Sequence, residues 1–374
     1  MMRNDTGNKA LVLGIIVLFF CMSISTSIGT RVIKKSNFPL SNGKTLYVGG
    51  SGQGNYTKIQ DAINDANEGD TVFVFDDSSP YYENIVIDES INLVGEDKET
   101  TIIDGQRNVV VKVTEDDVTI IGFSITNALG FPHMGIWADK VDYCTFSDNI
   151  IYSNYYGIEL YGSNNQITNN IIYSITKNGI YIPSGDFNII ANNIIHSNNN
   201  WSISIFNSPW NQGRNNIINN SISNNYGGIK LMYSPNNTIN LNTFKNNTEG
   251  IKLLGEIHQG ESINNVIYHN NFINNTVNAE DYCNNTWDDG KYGNYWSDYE
   301  EKYPDAKKKW WKGIWDTPYE IEGGNNKDNY PLIKQWPNLK SRAITRDTAL
   351  YNFYWFRFLG RFPLLKQLFF VYSL

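Results

Sequence analysis

Asn165-Gln-Ile-Thr-Asn-Asn-Ile-Ile172, Asn188-Ile-Ile-Ala-Asn-Asn-Ile-Ile195 and Asn215-Asn-Ile-Ile-Asn-Asn-Ser-Ile222 are copies of one eight-residue phrase. Its spacing is polar at the first position, apolar at the third, Asn at the sixth and apolar at the eighth. The spacing recurs at Cys144/Phe146/Asn149/Ile151, Asn237/Ile239/Asn242/Phe244 and Asn265/Ile267/Asn270/Phe272. Eight or nine residues after the sixth position stands a small residue followed by Ile: Gly157-Ile158, Gly179-Ile180, Ser202-Ile203, Gly228-Ile229 and Gly250-Ile251, with Gly135-Ile136 one period earlier. Most periods are 21 to 23 residues long, and the two longer ones carry insertions at 207–213 and 255–262.

A fixed period of this length marks a stacked repeat architecture. Each period holds short alternating stretches, such as Gly157-Ile-Glu-Leu160, separated by Asn/Ser/Gly turns. Strands this short cannot build an ordinary sheet. Identical coils stacked about 4.8 Å apart bury a continuous Ile/Phe core instead. The expectation is a parallel β-helix of about nine to ten coils, forming a rod near 45 Å. The 53 asparagines of the chain acquire a role in that fold. At a sharp turn Asn tolerates left-handed backbone angles, and its amide donates to one neighbouring coil while accepting from the other. The repeat asparagines are therefore structural.

Composition narrows the function. Thirty Lys+Arg against 38 Asp+Glu, net charge −8, lacks the basic footprint of a nucleic-acid partner. With 41% hydrophobic and 14% aromatic residues, the chain has enough apolar surface to fold. Arg3 and Lys9 precede an apolar run over 10–22, and small residues follow to Gly29, so 1–29 reads as a secretory signal or an N-terminal membrane anchor. The product is expected outside the cell or on its surface. At the other end, 341–374 is an aromatic amphipathic tail interrupted by Arg357, Arg361 and Lys366. Aromatic residues this dense must bury against something, and the tail is expected to cover the end of the domain in front of it, with a partner or a membrane surface as alternatives; the N-terminal segment is also a candidate for membrane association. Cys144 and Cys283 lie about six coils, roughly 29 Å, apart, beyond disulfide reach, and are expected as free thiols.

Upstream of the repeats, Ile59, Ala62, Ile63 and Ala66 follow Thr57 at helical spacing, giving an amphipathic helix suited to cover the open end of the coil stack. Alternating strands are expected at 71–75, 84–87, 91–94, 101–103, 109–113 and 118–125. The run from Thr57-Lys-Ile-Gln-Asp-Ala-Ile63 through Glu68-Gly-Asp-Thr-Val72 and Ile91-Asn-Leu-Val-Gly-Glu96 to Ile103-Asp-Gly105 resembles the N-terminal portion of pectin-lyase-like β-helix proteins. The Asn-x-Ile-x-x-Asn-x-Ile coils resemble the NosD-like β-helix domain. Gly293-Asn-Tyr-Trp-Ser-Asp-Tyr299, Asp316-Thr-Pro-Tyr319, Gly323-Gly-Asn325 and Asp328-Asn-Tyr-Pro-Leu332 are similar to the terminal module of archaeal surface proteins of that type. The likeness covers about residues 45–333. It implies an all-β right-handed parallel β-helix over 45–285 with an N-terminal capping helix, followed by a C-terminal cap module over 286–340. Such modules often carry a calcium loop before Asp-Thr-Pro-Tyr. Here 304–315 holds lysines and tryptophans instead, so no cofactor is expected.

The fold hosts lyases, epimerases, hydrolases and non-catalytic binders alike, so activity must come from particular residues. No base-and-neutraliser pair for uronide elimination is legible, and no paired Asp facing one groove. The position after each Gly-Ile forms an outward column: Trp137, Glu159, Tyr181, Ser204, Lys230 and Lys252. His133, Tyr155, Tyr156, Lys177, Trp201 and Tyr226 precede the small residue and read as exposed neighbours. Aromatic rings stack on sugar faces while Lys and Glu bind hydroxyls or carboxylates. His133, Trp137, Glu159, Lys177, Tyr181, Lys230 and Lys252 are therefore the candidate ligand-binding residues, for a carbohydrate or cell-envelope polymer. A non-catalytic binder is the leading expectation, with a uronic-acid lyase or epimerase as the alternative. The NosD likeness also implies copper handling, against which the four His stand on different coils and only His133/Met134 pairs a His with a sulfur ligand.

Overall fold

The computed structural model of the 374-residue chain describes residues 43–207, 212–255 and 261–337. The expected signal segment and aromatic tail lie outside those residues. The chain winds through three parallel sheets in turn. The first has ten strands, from Thr45–Val48 to Val266–Tyr268. The second has nine, from Ile102–Asp104 to Tyr295–Trp296, and the third has nine, from Ile85–Ile87 to Val277–Asp281. Each strand pairs with its equivalent one coil before and one coil after: Phe146 lies between Ile120 and Ile167, and Ile151 between Ile125 and Ile172. The expected parallel β-helix is what forms. Ladder asparagines on successive coils are 21, 23, 27, 22, 28 and 24 residues apart. The two long intervals hold the insertions.

The inward positions carry the stability. In the first sheet Ile120, Phe146, Ile167, Ile190, Ile217, Ile239 and Ile267 form one fully buried column. Comparable columns run down the other two sheets, and each fully buried aliphatic side chain contributes about 1.5–3 kcal/mol. The stretch expected as one strand at 118–125 is two, Thr119–Ile121 and Ser124–Thr126. The break falls at Gly122, left-handed at φ 84 and packed so closely against Gly95 that a Cβ on Gly95 would lie 2.1 Å from the Gly122 oxygen. A helix, Ile59–Asn64, buries Ile59, Ala62 and Ile63 as its spacing requires. Its N-cap is Lys58 rather than Thr57. Glu83, on a loop of the next coil, supplies the missing acceptors, taking the Ile59 and Gln60 N–H groups at 2.9 and 3.0 Å.

The asparagines divide the labour that the sequence assigns to one residue. Buried Asn149, Asn170, Asn193, Asn220, Asn242, Asn270 and Asn294 form a ladder in which each backbone N–H donates to the next Oδ1 at 2.9–3.0 Å, for example Asn193 to Asn220. Each Nδ2 also donates to a backbone carbonyl of the preceding coil, as Asn220 does to Ile190. A second ladder runs from Asn165 to Asn285. A third, through Asn198, Asn225, Asn247 and Asn275, escapes the eight-residue phrase. The left-handed angle belongs to the residue before the ladder Asn: Asn164, Asn169, Asn192 and Asn219, and also Leu241 and His269, all lie between φ 54 and 61. The bend must precede the amide so that the amide points inward.

Candidate functional site: the outward face of the third sheet

The third sheet holds the longest strands, most of five or six residues, because the small residue of each Gly-Ile pair lets the chain enter straight. A Cβ on Gly157 would meet the Gly179 carbonyl oxygen at 2.3 Å. The outward column is in strict register: Lys112, Trp137, Glu159, Tyr181, Ser204, Lys230, Lys252 and Glu280 pair in succession. Lys112 and Glu280, which the sequence pattern misses, belong to it because the sheet extends beyond the recognisable repeats.

The column is less open than its sequence suggests. Glu159 is 7% exposed and Ser204 8%, and Trp201, read as an exposed neighbour, is buried. Large rings on adjacent coils cover the gaps that small or short side chains leave. Trp201 lies over Gly227, where no side chain competes. Lys252 is bound by Glu249 and Glu280 at 3.0 and 2.5 Å, and Tyr226 closes the network with a hydroxyl donated to Glu249 at 2.8 Å. Burial pulls the Lys252 ammonium down, but the two carboxylates more than reverse it and hold it above its usual range. Among the described residues Lys230 is in no ion pair. Burial and the neighbouring Lys252 lower it.

Aromatic rings border the other half of the column. Phe131, Tyr155, Tyr156 and Tyr181 form a run of ring contacts at 5.4, 5.2 and 5.8 Å, and the last pair is stacked at 18°. Phe131 is 76% exposed, so the run leads from solvent to the buried Glu159. Burial pushes the Glu159 carboxyl above its usual range, and a hydrogen bond with Tyr161 partly offsets it. Tyr161 itself is pushed up to about 12 by burial and by that carboxylate. The Lys112 ammonium sits 4.4 Å from the centre of the Trp137 ring. The indole N–H of Trp137 is covered and has no partner.

His133 and Lys177 lie in the turns that enter two different strands. The His133 ring nitrogen contacts the Arg107 carbonyl at 2.5 Å, one coil earlier. Lys177 is aligned behind Tyr155 by a 2.7 Å backbone bond. Among the hydrogen bonds and ion pairs of the described residues, neither meets Glu159, so the three do not converge into an acid–base site. A second ring ladder, invisible to the repeat phrase, runs down the second sheet: Tyr152, Tyr173 and His196 stack at 5.3 Å with tilts of 6° and 5°. These rings spend their faces on one another. Among the described residues no three His, Cys, Asp or Glu side chains come together as metal ligands. No helix there is long and apolar enough to cross a membrane.

The family described as "Right handed beta helix region" matches residues 134–291. This identifies the coils over 134–291 as a right-handed β-helix. No curated protein sequence matches the chain significantly. Solved structures with a similar course include a mannuronic acid specific polysaccharide family 6 lyase from human gut microbiota (15% identity, TM-score 0.45, 62% of this chain and 59% of that one). An alginate lyase from Paenibacillus sp. str. FPU-7 is similar at 15% identity and TM-score 0.38, over 65% of this chain and 95% of that one. Pectate lyase Pel9A is similar at 14% identity and TM-score 0.37, over 65% and 70%. The chain spans about three fifths of the first of these.

Proposed function

We propose that the chain is an exported, surface-associated β-helix that binds carbohydrate along the outward face of its third sheet, without catalysing a reaction there. The observation that carries this reading is the aromatic run from exposed Phe131 to Tyr181 over the protonatable Glu159. Ring faces supply stacking area, while a carboxyl flanked by phenols supplies the few polar contacts a sugar site needs. The chemistry favours neutral sugar units at this end. Among the described residues no cation forms an ion pair with Glu159, and burial and the Tyr161 hydrogen bond set the direction of its carboxyl. Uronide elimination would need a positive group beside the substrate carboxylate and a base aligned with it. The similarity to polysaccharide lyases is one of chain course and does not supply those residues.

A glycan array of neutral and uronate polymers tests the reading, followed by absorbance assays for unsaturated uronides. Binding without product, reduced about tenfold by Tyr181→Ala, supports it. Formation of unsaturated product would overturn the non-catalytic part. Cell fractionation, with the mass of the mature N-terminus, tests export.

A further inference from the structure

Outside the third sheet, an exposed apolar feature stands on the hairpin of strands Lys308–Lys309 and Ile314–Trp315, with Lys308 opposite Trp315 and Lys309 opposite Ile314. At its turn the N–H groups of Lys312 and Gly313 both donate to the Lys309 carbonyl, at 2.9 and 3.0 Å, and Gly313 takes φ 72. Trp310 and Trp311 project from that turn, 63% and 81% exposed. The base is rigid. Ile314 and Trp315 are buried, Trp315 stacks on Tyr299 at 4.6 Å, and the Trp315 backbone N–H donates to the Pro331 carbonyl at 2.9 Å. Trp310 meets the Lys308 ammonium 5.3 Å from its ring centre, and both indoles leave most of their apolar area in water on a braced hairpin.

The charge around them runs against the rest of the protein. In a chain of net charge −8, Lys307, Lys308, Lys309 and Lys312 cluster within six positions. Lys308 is paired with Glu300 at 2.7 Å and lies over the Trp315 ring. Among the described residues Lys307, Lys309 and Lys312 are in no ion pair. The nearby Asp316 carboxylate is occupied by the Lys307 N–H and the Thr317 hydroxyl, at 2.8 and 3.0 Å. The tip projects from its turn with Lys309 and Lys312 beside its rings and the Glu300 and Asp316 carboxylates already engaged at its base, whereas a sugar site needs a concave wall with mixed donors and acceptors. Tryptophan prefers the headgroup level of a bilayer, and lysines near an anionic leaflet are attracted to it.

We propose that this hairpin docks on the surface of an anionic lipid bilayer, with Trp310 and Trp311 at the boundary of headgroups and acyl chains and Lys307, Lys309 and Lys312 on lipid phosphates. The site is separate from the carbohydrate face and does not depend on it. Because both chain ends are also candidates for membrane contact, the test must report on the tip itself. A full-length Trp311→Cys variant, also carrying Cys21→Ser and Cys283→Ser, leaves only the buried Cys144 as a competing thiol. An environment-sensitive dye on residue 311 is then read with phosphatidylcholine vesicles containing or lacking phosphatidylglycerol. The expected result is a blue shift and quenching by headgroup-region nitroxide lipid, only when phosphatidylglycerol is present. Trp310→Ala/Trp311→Ala and Lys307→Glu/Lys312→Glu chains, with unchanged melting curves, should each show about tenfold weaker vesicle affinity. Three outcomes overturn the proposal: no vesicle binding, vesicle-bound protein whose label stays in water, or binding to a soluble uronate polymer but not to vesicles.

Discussion

The coils between residues 134 and 255 and the segment from 281 to 336 solve the same problem by different chemistry. In the coils, buried amides pass hydrogen bonds from layer to layer, and aliphatic side chains fill the inside. Toward the C-terminal segment both devices change. The ladder from Asn149 ends where the Asn294 N–H donates 2.7 Å to the Asp328 carboxylate. The ladder through Asn285 passes its N–H to the Asn326 Oδ1 at 3.2 Å, and beside it Asp281 accepts the Asn285 Nδ2–H at 2.8 Å and the Trp287 indole N–H at 2.9 Å. The aliphatic column turns aromatic: Phe244, Phe272, Trp296 and Tyr319 stack at 5.0, 4.3 and 4.1 Å. A repeating coil can use an amide, which both donates and accepts, because another amide follows. At the end of the Asn149 ladder only donors are left to satisfy around Asp328, and a carboxylate, which accepts and does not donate, serves them.

Four substitutions break or sharpen this contrast, in order of expected effect. Trp296→Ala removes the central plate of the aromatic stack and the indole donor to Asp328, 2.9 Å away, and should cost about 3–5 kcal/mol in chemical denaturation. Hydrogen exchange should place the loss in 281–336. Asn220→Ala strands the Asn193 N–H and the Ile190 carbonyl and should cost about 3 kcal/mol, with exchange quickening in coils on both sides. If exchange quickened in 281–336 instead, the two regions would not be separate devices.

Asp328→Asn should cost about 1–3 kcal/mol, since an amide nitrogen would face one of the N–H groups that the carboxylate now accepts from Asn294, Trp296 and Tyr330. The same substitution carries a pH signature. Burial pushes the Asp328 carboxyl up to about 7, three hydrogen bonds pull against it, and Asp288 adds to the rise. The folded state then holds this proton to higher pH than the unfolded chain, whose value is near 3.9. The contribution is full below that value and is lost as pH rises toward about 7. Melting temperatures should show the wild type losing stability relative to Asp328→Asn across that window. The smallest effect is Leu241→Gly, at a left-handed position of φ 61 that a leucine occupies at a cost. A gain of up to about 1 kcal/mol is expected, seen as a higher melting temperature.

Legibility followed repetition. Asn165, Asn170 and their equivalents announced the coil because the same phrase returned each time, and the outward column from Trp137 to Lys252 could be counted from Gly-Ile. The third ladder, beginning at Asn198, was hidden in turns where Asn, Ser and Thr alternate. Lys112 and Glu280 stood on coils without the phrase, so only strand register placed them in the column. The burial of Glu159, and the bond from Lys252 to Glu280, depended on neighbours one coil away in space but more than twenty residues away in sequence, while Glu249 joined them from three residues away on the same strand. The Asp328, Tyr319 and Trp296 motifs were readable as residues, yet nothing local said that they stack and bond on the last coil.

The sequence by itself determined the coil, its period, its inward faces and the structural duty of the asparagines, because stacking repeats the same environment each period and so writes itself into the pattern. Tertiary structure decided which outward residues are open, which charges are already paired, and that the lysines and tryptophans of 307–312 stand on a braced hairpin. Those properties arise between coils and at the end of the stack, where each side chain meets different neighbours and no periodicity records them.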